Sequence, residues 1–290
     1  MYIMFVKGHC SPRKEDIKIS CLKRKTLKNI ANILNEKLGT NIEVKKTTKK
    51  KIYSEIKKHL SKSECKNESC WRSLSIIIEN LDEKEKKELK DSFKPFQPLS
   101  WKDKPNTWLN TTDINSVMKQ YEKKYPHFKY YEATPIDFHL KEGGECLVSR
   151  LCNVNISQLK KKKKSIGLVF NTDKHNQPGQ HWFSMFIDLV GKNRENPSIY
   201  FFDSAEAIKD INDIPEQILD LIEKFQNQNN YQFDFLYNDI QHQYGNTECG
   251  IYCLHFLTEM LKGKKFKDYV NQKNNDKKIE KFRKLFFIER

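Results

Sequence analysis

Cys249 stands where a thiol becomes useful as a nucleophile. The stretch Gln243-Tyr-Gly-Asn-Thr-Glu-Cys249-Gly250 is polar and glycine-bearing, and it runs straight into Ile251-Tyr-Cys-Leu-His-Phe-Leu-Thr-Glu-Met-Leu261, an almost wholly apolar helical run. This predicts a loop that delivers one cysteine to the first turn of a buried helix, where the partial positive charge of the helix N-terminus favours thiolate over thiol. Gly250, without a Cβ, would let the backbone approach a substrate carbonyl. The competing reading is packing, since free cysteine is among the most buried residue types. Catalysis therefore requires a base elsewhere in the chain.

His181 is the best base. It heads the apolar run His181-Trp-Phe-Ser-Met-Phe-Ile-Asp-Leu-Val190, directly after the turn-rich Asp173–Gln180, so its ring is expected at a strand edge facing a cleft. Trp182 beside it offers a large face that could keep water out. Asp203 ends the next apolar run, Ser198–Ser204, and consecutive strands are usually neighbours. Its carboxylate could therefore orient the imidazole while the ring addresses Cys249. Gln243, six residues before the cysteine, can donate its amide to a developing oxyanion beside the Cys249 N–H. His175, His242 and His255 compete as bases, but none of them begins a strand. Cys253, one helical turn beyond Cys249, is assigned to the core.

The chain has 290 residues, 37% hydrophobic and 31% charged, with a net charge of +15. The charge is uneven: residues 1–50 hold 13 Lys+Arg against 4 Asp+Glu, whereas residues 201–250 hold 2 against 10. A basic first segment beside an acidic nucleophile-bearing one suggests divided labour, with nucleic acid or an acidic core surface as a possible contact of residues 1–60; a general lysine bias is the alternative. The eight cysteines show no dense framework, Cys65 and Cys70 lack a second metal-binding pair, and neither a signal peptide nor a membrane span is expected. Free thiols in a reducing compartment, with no metal and no cofactor, are the expectation.

Helical periodicity predicts helices over 23–38, ending at Gly39, and over 49–60, with a third from about Glu68 to Asp91. The first two form a basic helical pair that resembles the helix–extended–helix modules called SAP, or that packs on the catalytic body. Three prolines between Phe93 and Pro105 mark a boundary. The domain reading is thus 1–92 a basic, mainly helical arm, 93–106 a linker and 107–290 the catalytic core. Within the core, helices are expected after Thr107, over 208–225 and, one or two, over 268–290; strands are expected over 165–171, 181–190, 198–204 and 231–237. Gly143-Gly144 reads as a turn. Strands among helices around one apolar helix give an α+β body.

His181-Trp182, Phe202-Asp203-Ser204 and Gln243-x5-Cys249-Gly250 resemble the ubiquitin-like-protein (SUMO) cysteine proteases and their adenovirus-protease relatives. Within that group the likeness is greatest to the polyprotein-processing proteases of large DNA viruses, of the African swine fever virus kind. It is carried by Asn171-Thr-Asp, His181-Trp182 and Thr247-Glu-Cys249-Gly and covers about residues 105–290. The resemblance implies a papain-like or adenain-like core, with a mixed central sheet flanked by helices. It also implies a thiol endopeptidase cutting after Gly-Gly, on viral polyproteins during particle maturation or on ubiquitin-like modifiers, in the virion and host cytoplasm. Trp108-Leu109-Asn110 resembles the family's cleft entry, so Trp108, Asn110, Trp182 and Gly250 are the implied substrate contacts. An acyltransferase using the same thiol is the enzymatic alternative.

Overall fold

The apolar runs that lack clean alternation are buried on both faces, and that property organises the catalytic part of the molecule. In the computed structural model, which describes residues 8–14, 18–61, 65, 67–192, 196–228 and 232–289, the chain divides into two compact units. One comprises the described residues up to Gln97 together with those from Leu285 on; the other is Pro98–Lys284. The initial apolar run, Met1–Val6, and Tyr231 lie outside the described residues.

In the first unit, α1 (Arg24–Leu38) ends at Gly39 in the left-handed conformation, as its periodicity predicts. Next comes α2 (Lys49–Leu60), started by the Thr48 side chain. Their apolar faces meet: Leu27, Ile30 and Leu34 share a core with Ile52, Ile56, Trp71 and Phe93. The single helix expected over 68–91 is instead broken. A 3-10 turn (Glu68–Ser73) leads to α3 (Ser75–Ile78), and α4 (Glu83–Asp91) starts afresh where Asp82 caps the Glu85 N–H at 2.7 Å. Glu68 cannot sit on a solvated helix because its carboxylate is buried, accepting from Ser20 Oγ and the Cys21 N–H.

The second unit begins with α5 (Thr111–Lys124), then β1 (Phe128–Tyr130), β2 (Thr134–Pro135) and the hairpin β3 (Lys141–Glu142)/β4 (Glu145–Cys146). Gly143 and Gly144 form the hairpin's tip with φ of 60° and 89°, values that glycine adopts without strain. Two short helices, α6 (Ser149–Cys152) and α7 (Ile156–Lys160), precede β5 (Ser165–Asn171), β6 (Trp182–Asp188) and β7 (Ser198–Phe202). There follow α8 (Glu216–Asn227), β8 (Asp234–Tyr237), α9 (Cys249–Leu261), α10 (Phe266–Asn271), α11 (Asp276–Glu280) and α12 (Arg283–Phe286). The expected helix over 208–225 starts only after Pro215, and the C-terminal segment forms several short helices rather than one or two.

The fold class is α+β with a mixed sheet, as expected. Among the described residues the sheet runs β1-β5-β6-β7-β8, with β2 also on β5; β5, β6 and β7 are antiparallel neighbours, and β1 and β8 join in parallel. Strand alternation assigns the two faces. Ile166, Leu168, Phe170, Phe183, Met185, Ile187, Ile199 and Phe201 join the core completed by Ile218, Leu221 and Phe225 of α8. The intervening residues face α9, whose residues are buried almost all round, with Phe202 against Phe256 at 5.0 Å between centroids.

The free-thiol expectation is corrected for six cysteines. Cys10–Cys21, Cys65–Cys70 and Cys146–Cys152 are disulfide-bonded, because short loops bring their Cα atoms within 5.3–6.5 Å. Cys249 and Cys253 are free. The only His/Cys/acid group within metal-ligand reach among the described residues is His9, Cys21 and Glu68, and the Cys21 sulfur is committed to Cys10.

Gly167 on β5 is dictated by packing. A Cβ there would lie 2.5 Å from a ring atom of the buried Phe128. Gly167→Ala is expected to destabilise the protein by about 1–3 kcal/mol, through overpacking of a rigid ring; chemical denaturation of both proteins measures it, and an unchanged midpoint would contradict the packing argument.

Candidate active site

Each strand end contributes one residue. His181 immediately precedes β6, held by the Thr172 N–H bonding its carbonyl at 3.0 Å. Asp203 follows β7, and the β6–β7 pairing that sets Ser184 opposite Phe202 brings the two ends together. His181 Nε2 lies 2.7 Å from Asp203 Oδ1, which also accepts from the Ala205 N–H at 2.9 Å. The ring also hydrogen-bonds the side chain of Cys249, the first residue of α9. His181, Asp203 and Cys249, three of the residues read from the sequence, are thus brought into one constellation.

Burial disfavours the charged imidazole, but its hydrogen bonds to Asp203 and Cys249, and the electrostatic pull of both, outweigh it. The His181 pKa is pushed up from 6.5 to about 10. The ring therefore carries its proton at neutral pH, beside the sulfur that would attack and in place to protonate a leaving group. The competing histidines lack this geometry. His175 pairs with Asp137 at 2.7 Å; His255 is buried, its Nδ1 3.0 Å from the Tyr269 hydroxyl; His242 is buried among aromatic rings, which lowers its pKa. Burial, with the charge of Cys249 next, raises the Cys253 thiol well above its ordinary pKa, so Cys253 serves packing.

Gln243 is buried beside the constellation. Its backbone N–H donates to the Ser204 carbonyl at 2.7 Å, its Oε1 accepts from Ser204 Oγ at 2.8 Å, and its Nε2 donates to the Gly245 carbonyl at 2.8 Å. The carboxamide is thereby oriented from the residue next to Asp203 and held against the Gly245 carbonyl.

The cleft residues sort differently. Trp108 is 44% exposed and its indole N–H donates to the Asn246 carbonyl; Trp182 is buried and donates to the Leu109 carbonyl at 2.9 Å. Both line a cleft of about 380 Å³ with Gly179 and His175. Asn110 borders it, but its side-chain oxygen is engaged in a capping box with Asp113 at the start of α5. A Cβ at Gly250 would meet the Leu109 side chain at 3.0 Å, so its small size admits Leu109 against α9.

Several supporting groups escaped the sequence reading. Asn238 is fully buried; its Oδ1 accepts from the Asp203 N–H and its Nδ2 donates to the carbonyls of Asp203 and Glu206. Asp276 accepts from the Tyr244 and Gly245 N–H groups at 3.0 and 2.8 Å. Arg283 forms a bidentate ion pair with Glu248. The available signals were weak: an Asn after a strand, and lone charges in short amphipathic segments.

Over residues 83–289 the chain matches the family described as YopJ Serine/Threonine acetyltransferase. A protein of Acanthamoeba polyphaga mimivirus that carries a thiol-protease name is 29% identical over 245 residues, covering 83% of this chain and 76% of that one. A cysteine protease of African swine fever virus is 26% identical over 261 residues, covering 82% of this chain and 89% of the viral one. The crystal structure of an African swine fever virus protease has the same fold, with a TM-score of 0.66 at 21% identity, covering 98% of this chain and 96% of the other.

The proton resident on His181 sets an expected pH profile. Turnover should persist into alkaline solution and fall as pH rises through about 10, where the imidazolium is lost. Asp203→Ala removes groups that raise the pKa, so the alkaline limb of the kcat/KM profile should move to lower pH. An unmoved limb would take Asp203 out of the proton chemistry.

Proposed function

Because the chain belongs to the family described as YopJ serine/threonine acetyltransferases, and is a cysteine protease like its viral relatives, we propose that it cuts polypeptides after Gly-Gly. The observation that carries the chemistry is one imidazole bonded at once to Asp203 and to the thiol at the head of α9. In this reading the Cys249 thiolate attacks the glycine carbonyl carbon and forms a C–S bond. Gln243 Nε2 and the Cys249 N–H receive the oxyanion. The C–N bond then breaks as His181 gives its proton to the departing amine. Water, giving a proton to His181, attacks the thioester; the C–S bond breaks, the product leaves as a carboxylic acid and the sulfur is released beside the reprotonated His181.

Gly-Gly selectivity is supported by the two indoles, Trp108 and Trp182, on one cleft. Residues without side chains would pass between such faces, and bulkier ones would clash. The natural substrates under this proposal are structural polyproteins processed in a virion or in host cytoplasm, as the viral origin of the relatives suggests, or a conjugated ubiquitin-like modifier, as the name "SUMO-1 cysteine protease" of another swine fever virus relative suggests. The basic residues of the first unit are proposed to contact nucleic acid or a particle core, on the strength of their charge alone.

The family description favours a second reading, acyl transfer. A thioester on Cys249 serves either chemistry; water as acceptor gives hydrolysis, and a hydroxyl gives transfer.

The test is incubation with a Gly-Gly-Xaa peptide, and separately with acetyl-CoA and a hydroxyl-bearing peptide. Peptide cleavage abolished in Cys249→Ala, with the fold retained, is the expected result; acetylation without cleavage would replace proteolysis by transfer. Gln243→Ala should lose on the order of 100-fold or more in turnover, by analogy with loss of one oxyanion donor. Near-wild-type turnover would remove Gln243 from the mechanism.

A further inference from the structure

We propose that Arg283 is a positioning residue for the Cys249 nucleophile, acting by holding the Glu248 carboxylate away from it and by tying the segment that leads to Trp108 to the loop before Cys249. The inference rests on the reading of Cys249 as nucleophile.

Glu248 immediately precedes Cys249, at the N-cap of α9. A carboxylate there ordinarily turns onto the first N–H groups of the helix. Here it makes no side-chain cap bond. Instead Glu248 Oε1 and Oε2 accept from Arg283 Nη2 and Nε at 2.7 and 3.0 Å, and both side chains are buried. The pairing neutralises a negative charge one residue from the thiol and leaves the helix terminus available to the thiolate. Beside Cys249, His181 bonds its side chain, Asp203 holds His181 from the next strand end, and Cys253 lies one turn along α9.

The same guanidinium reaches a second segment. Nη1 donates to the Thr107 carbonyl and Nη2 to the Thr247 carbonyl, each at 3.0 Å, and the group lies 4.5 Å from the Trp101 ring centroid. Thr107 precedes Trp108, and Trp108 in turn donates to the Asn246 carbonyl. One planar cation thus fixes the Trp108 segment and the nucleophile loop to each other. A lysine offers no fork with which to do this.

Two roles predict two separable losses. In Arg283→Met, alkylation of Cys249 by iodoacetamide, followed by mass spectrometry, should slow about tenfold at pH 7, and its pH–rate curve should move to higher pH. Adding Glu248→Gln should restore alkylation to within about twofold of wild type, because the unpaired charge is gone. KM for a Gly-Gly-Xaa peptide should stay raised in the double variant, because the tie between the Trp108 segment and the loop before Cys249 is still missing. If Arg283→Met does not fold, Arg283→Lys, which keeps the charge without the fork, should alkylate within about twofold of wild type yet show the raised KM. Wild-type alkylation in folded Arg283→Met, no recovery on adding Glu248→Gln, or an unchanged KM in Arg283→Lys would overturn the proposal. Alkylation needs no peptide, so a failure of the Gly-Gly reading would appear as uncut peptide while the alkylation result still decides the role of Arg283.

Discussion

The site depends on keeping a charged imidazole in a place that water barely reaches. Burial by itself would strip His181 of its proton, and an uncharged ring could not donate to a leaving amine. Asp203 on one side and Cys249 on the other reverse that tendency. Each needs a fixed backbone to do so: Asp203 is bracketed by the Asn238 carboxamide, and Cys249 is set by a helix embedded against the sheet. The two-faced burial of β5, β6 and β7 follows from the same requirement. A sheet with a helix on only one face would leave the strand ends, and the residues they carry, free to move relative to α9.

The parts legible in the sequence were those whose function coincides with the end of an element. His181 precedes a run too apolar to be anything but a central strand, Asp203 ends the next one, and Cys249 opens a helix without a polar face. Hydrophobic pattern alone orders these three. The hydrogen-bonded supports were not legible, because burial of a polar side chain leaves no periodic trace. Arg283 and Glu248 are 35 residues apart, and Asn238 and Asp203 likewise, so neither pair is a local signal. The disulfides were missed for a related reason: cysteine spacing says nothing about which loops fold back. The packing of Leu109 against Gly250 was not legible either, because what lies opposite a glycine leaves no local trace.

The loop from Gln243 to Glu248 is held from several directions rather than by its own turn chemistry. Ser204 anchors its start, Asp276 takes two of its N–H groups, and Arg283 holds its end. The short C-terminal helices α11 and α12, which bear Asp276 and Arg283, thereby contribute to the constellation although they supply none of the reacting atoms. Preorganisation of this kind matters because an oxyanion donor is effective only when it need not move as charge develops.

The hairpin tip at Gly143-Gly144 holds the only paired glycines in the chain. A protease reads its substrate as an extended ribbon, and both of these residues are wound into the left-handed region. An enzyme proposed to cut after such a pair thus carries its own recognition signal in a shape it cannot read. Under that proposal the tight turn would hide the dipeptide by curvature for as long as the hairpin stays folded.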